Sequence, residues 1–91
     1  MVRVLNVSGR DSGIAEIVPW FDSSHLPEGL REIALEIEGT AVFMLAALHD
    51  SYELEAGLRK LLEAKDCFVR AKIITDQDNN QTKLRIEDGN G

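Results

Sequence analysis

A single cysteine, Cys67, among 91 residues excludes an intrachain disulfide. The two histidines, His25 and His49, stand far apart and form with Cys67 no metal constellation of recognised spacing. Disulfide and metal staples are thus missing from a chain whose length buries only about 60–65% of its unfolded surface. Partner subunits are the remaining source of stability. Long hydrophobic runs are also lacking: the longest, Ala41–Leu48, has eight residues, against the ~20 that span a bilayer. No membrane association is expected. Val2-Arg3-Val4-Leu5-Asn6-Val7 lacks the charged region and long apolar core of a signal peptide. A reducing cytoplasm is the expected compartment, and the sequons Asn6-Val7-Ser8 and Asn80-Gln81-Thr82 read as chance matches. Basic residues are few, 10 against 16 acidic, for a net charge of −6. Such a chain repels long nucleic acid, and no basic arm or reading motif offsets this.

What is present divides into three zones. Residues 1–22 hold two β-prone runs, Val2–Val7 and Ile14–Val18, around the turn-like Ser8–Gly13, which predicts an arm or short β-hairpin. Residues 23–74 predict two helices. The first is expected from Ser23 or Ser24 to about His49, with Leu26, Leu30, Ile33, Ile37, Met44 and Leu48 on one face. Its far face starts charged and ends apolar at Val42, Phe43 and Ala46, so its second half is apolar all round. One small subunit cannot cover both sides. Asp50 or Ser51 caps a second helix with Glu53 reaching back, running from about Tyr52 to Ile73. A connection this short makes the helices antiparallel. Residues 75–91 predict a weakly ordered polar tail, with weak strand alternation at Thr82–Glu87. The fold class is mainly α: an antiparallel two-helix hairpin assembling as a homo-oligomer.

The second helix carries the chemistry. Residues 59–72 hold five bases and two acids, a local +3 in a chain whose remainder carries −9. That contrast suits a small anion. Leu54, Leu58, Leu61, Leu62, Phe68, Val69 and Ile73 form its core face, with Lys65 and Lys72 inside that arc. Ala56, Lys60, Ala64, Cys67 and Ala71 form a stripe of small side chains where another helix can approach, Cys67 reading as a buried filler. Arg59, Glu63, Asp66 and Arg70 form a polar stripe. A solvated, ion-paired face explains that stripe blandly, and snorkelling explains Lys60 and Lys65. The functional reading gives Lys60, Lys65, Arg59 and Arg70 to phosphate oxygens. Trp20 and Phe21 read either as a hydrophobic clamp or as platforms for a base. His25 and His49 read as helix-end hydrogen-bonding groups. The Gly9–Gly13 turn lacks the Gly-Lys-Ser/Thr ending of a phosphate loop. No nucleophile stands with a base beside it, so an enzyme is not expected, nor a cofactor.

His25-Leu26-Pro27-Glu28-Gly29-Leu30, followed by a helix and then Gly57–Ala71, resembles small phage and prophage proteins. These share the helical-hairpin domain of anti-CBASS and Thoeris anti-defence sponge proteins. The resemblance covers about residues 20–73, and Leu58–Ala64 is its most specific part. It implies a homo-oligomer, commonly a hexamer, that captures a cyclic oligonucleotide or cyclic ADP-ribose-type signal without cleaving it. Arg59, Lys60, Glu63 and Lys65 are its motif positions. The competing expectation is a structural or regulatory helical module acting through a protein partner.

Overall fold

The computed structural model describes residues 9–85, with side chains through residue 79. Three α-helices and one 3-10 turn follow in order: α1 (Ser12–Ile17), the turn Val18–Phe21, α2 (Glu28–Ala47) and α3 (Tyr52–Arg85). Helices α2 and α3 pack on each other, while α1 lies against α3 and the 3-10 turn against both. Ile14, Ile17, Val18 and Phe21 insert into the seam made by Ala41, Leu45, Leu54 and Leu58, and these eight form one buried cluster. Mainly helical is therefore correct, and no strand occurs among the described residues.

Ile14–Val18 is helical rather than β. Its apolar residues, with Phe21, stand at i, i+3, i+4 and i+7, a helical stripe that α2 and α3 bury. Tertiary packing overrides the β preference of Ile and Val here. The other β-prone run, Val2–Val7, lies outside the described residues. Gly9 takes a positive φ of 77°, a conformation natural to glycine, and turns the chain towards α1.

Helix α2 starts at Glu28, later than Ser23 or Ser24. Pro27 disfavours helical backbone at Leu26, so the helix cannot begin upstream and run through it. Ser23 is instead buried, and its amide and hydroxyl both donate to the Glu38 carboxylate, at 3.2 and 2.5 Å. That contact ties the connecting loop to the middle of α2. Ser51 caps α3, its hydroxyl accepting from the Leu54 amide at 3.0 Å. The position three beyond Ser51 is Leu54, so the reciprocal Glu of a capping box has no place there.

The C-terminal half of α3 extends past the expected end at Ile73 and through the expected strand to Arg85. From Leu58 to Asp88 the chain has no glycine or proline to stop it. Helix α3 has 34 residues to the 20 of α2, so its last turns outrun the partner helix. Lys72 and Asp76, one turn apart at 3.1 Å, support the exit.

Asp50 serves as a clasp rather than a cap. Its carboxylate accepts from the Arg10 guanidinium and, at 2.8 Å, from the Asp11 amide. Arg10 also donates to the Leu45 carbonyl at 2.5 Å, satisfying one orphan acceptor at the α2 C-terminus. The Asp11 amide, then Arg10, hold the Asp50 carboxyl below its ordinary 3.8. A lowered native pKa adds stability above the unfolded value and loses it as pH falls through the native one. Melting temperature should accordingly fall between about pH 5 and pH 3, and Asp50→Asn should flatten that fall while lowering stability at pH 7.

Candidate ligand-binding cleft

Leu62, Asp66, Val69 and Arg70 lie on one stripe of α3, at i, i+4, i+7 and i+8. The 3-10 turn and the loop after it bring Trp20, His25 and Leu26 opposite that stripe. A cleft of about 330 Å³ opens between them, with Lys65 beneath. Leu26, Leu62 and Val69 supply its apolar lining, and Trp20, His25, Asp66 and Arg70 its polar and aromatic groups.

Adjacent aromatics part company at the 3-10 turn, where successive side chains diverge by about 120°. Phe21 is 0% exposed in the core, while Trp20 is 69% exposed at the cleft. Phe21 therefore packs in the core of this subunit and offers no exposed face. Trp20 is free to stack.

Lys65 is 7% exposed, and its ammonium donates to the Trp20 carbonyl at 2.5 Å. It does not snorkel. The 3-10 turn ends there with unsatisfied carbonyls, and Lys65 ties it to α3. Lys65→Met keeps the apolar stem but removes the donor, and should cost about 1.5–3 kcal/mol of stability with no ligand present. A melting temperature unmoved by that change would make Lys65 a ligand contact alone.

Asp22 stands beside the cleft. The Ser24 amide, donating at 3.0 Å, holds its carboxyl below the ordinary value, with the Ser24 hydroxyl, His25 and Lys65 acting in the same direction. The local field is thus mixed. Arg70 presents positive charge to the cleft and Lys65 lies buried beneath it, while Asp22 and Asp66 restrict where an anion sits.

The structure brings together Trp20, Lys65 and Arg70 of the six sequence candidates. It leaves out Phe21, Arg59 and Lys60. Arg59 is exposed and paired to Glu55 at 2.9 Å, as a solvated helix face predicts. Lys60 is exposed on another side of α3. Cys67 is exposed rather than buried, its sulfur accepting from Arg70 at 3.5 Å. Sequence reasoning missed His25 and Asp66 as cleft residues. Asp66 shares its stripe with Arg70 and was within reach of periodicity, whereas His25 arrives through a loop whose path no local signal gives.

Fold and cleft together define a small, mainly helical protein in which a short helical segment near the N-terminus packs on two longer helices beside a mixed aromatic and charged cleft. No family model matches the chain, and no curated protein or solved structure matches it. Among the described residues no helix is long and apolar enough to cross a membrane.

Proposed function

We propose that this protein binds and sequesters a cyclic nucleotide signal, of cyclic oligonucleotide or cyclic ADP-ribose type, without cleaving it. The observation that carries the reading is the convergence of an exposed indole, a guanidinium and an imidazole on one cleft. Trp20 stacks a base, Arg70 grips phosphate oxygens in a bidentate fashion, and Asp66 accepts from base N–H groups. Sequestration asks only for affinity near the signal's working concentration, so preorganisation by Lys65 matters more than any catalytic group. At about 330 Å³ the cleft sits at the low end for small-molecule sites. It suits one nucleotide unit, and the rest of a cyclic ligand would meet another subunit of a homo-oligomer, a hexamer by the resemblance. Downstream immune effectors then lack their activator.

A thermal-shift screen against cyclic dinucleotides, cyclic trinucleotides and cyclic ADP-ribose isomers tests this reading. A ligand at a hundredfold excess over its dissociation constant adds ~2.7 kcal/mol of apparent stability. A flat response across the panel would leave the second reading, a helical module acting through protein contacts. That reading draws on the larger apolar groove between α2 and α3.

A further inference from the structure

The larger groove, about 540 Å³, runs between α2 and α3, and no residue of α1 or the 3-10 turn lines it. Thr40, Met44 and Leu48 form one wall, and Leu54, Gly57 and Leu61 the other. Gly57 is exposed in the interior of α3, where glycine weakens a helix relative to alanine. A Cβ built there meets nothing within 4 Å, and its φ is not positive. Nothing within the described residues calls for a glycine.

Glu53 and Lys60 flank Gly57 along one edge of α3, seven residues and two turns apart. Both are exposed, and neither forms an ion pair among the described residues. In an antiparallel pairing of α3 with its own copy about a two-fold axis between Ala56 and Gly57, position 53 falls opposite position 60. The same opposition repeats on the other side of the axis. The edge is therefore self-complementary in charge, as an isologous interface requires.

We infer that a second copy of this chain covers the groove, α3 crossing α3 at Gly57, with Glu53 of each subunit paired to Lys60 of the other. The missing side chain at Gly57 allows the close approach. One side of the hairpin is ~30 Å long and about two helix widths across, or ~600 Å² per subunit and ~1,200 Å² in all. That reaches the lower bound of a specific interface. A copy of itself is also the one partner always present, as a stabilising partner of so small a core must be. Lys60 then belongs to the subunit interface. This inference is independent of nucleotide capture, because association is read without ligand.

Sedimentation of the full chain over a concentration series tests it. The wild type should associate, and Lys60→Glu, which sets like charges opposite at two symmetric places, should raise the dissociation constant by about tenfold. Adding Glu53→Lys to Lys60→Glu should bring it back to within about threefold of wild type, the signature of a direct pair. Gly57→Leu should also weaken association by at least about tenfold, with circular dichroism unchanged, since the subunit has room for the side chain. A wild type monomeric at ~100 μM overturns the inference. So does a double variant no better than Lys60→Glu alone, or a Gly57→Leu protein that associates like wild type.

Discussion

Phe21→Ala should leave the protein largely unfolded at 25 °C. Phe21 is the largest fully buried side chain among the described residues and packs with Ile14, Ile17, Val18, Leu54 and Leu58 in the core. Truncating a buried phenylalanine costs about 3–5 kcal/mol, counting lost transfer energy and the cavity left behind. Cores of this size rarely supply more than about 3–5 kcal/mol in total. Cost and reserve are therefore comparable, and the fold loses. Circular dichroism and a thermal melt read the outcome directly. Phe21→Leu, nearer in volume, should fold with a lowered melting temperature. A Phe21→Ala protein that melts like wild type would show that the 3-10 turn does not hold α2 and α3 together.

Trp20→Ala should do the opposite at the neighbouring position. The indole is exposed, and the group that Lys65 holds is the backbone carbonyl, which alanine retains. Stability should change by no more than about 0.5 kcal/mol, as for ordinary surface substitutions. Nucleotide affinity should drop by about five- to 150-fold, the equivalent of ~1–3 kcal/mol for one lost stacking contact. Arg70→Glu should act in the same direction, by repelling phosphate where the guanidinium attracted it. Titration calorimetry on variants with matched melts separates the two aromatics. Trp20→Ala binding with wild-type affinity would remove the cleft from consideration as the base site.

The mainly helical character was legible because two long apolar stripes, separated by the short break His49-Asp50-Ser51, leave few alternatives. The brace formed by α1 and the 3-10 turn was less so. Its i, i+3, i+4, i+7 spacing at Ile14, Ile17, Val18 and Phe21 is visible in the sequence, but the β-branched composition of a short run argued against it. Only the packing against α2 and α3 decides between them. The polar stretch after Thr75 misled for a related reason: composition suggested a tail, while the lack of any glycine or proline let α3 continue. At the cleft, Arg70 and Lys65 followed from the charge pattern of one helix. The role of Lys65 did not, because its partner is a main-chain carbonyl 45 residues away. Phe21 and Trp20 could not be told apart without the turn that sends them in different directions.

Capture without cleavage would take place at the Trp20 and Arg70 cleft. The most direct measurement is equilibrium binding of cyclic dinucleotides, cyclic trinucleotides and cyclic ADP-ribose isomers to the full chain and to Trp20→Ala. The bound fraction is then released by denaturation and analysed chromatographically. If the cleft captures the signal, the wild type should bind one ligand class saturably, Trp20→Ala should lose that binding, and the ligand should be recovered intact. Recovery of a hydrolysed product, or equal binding by both proteins, would contradict it.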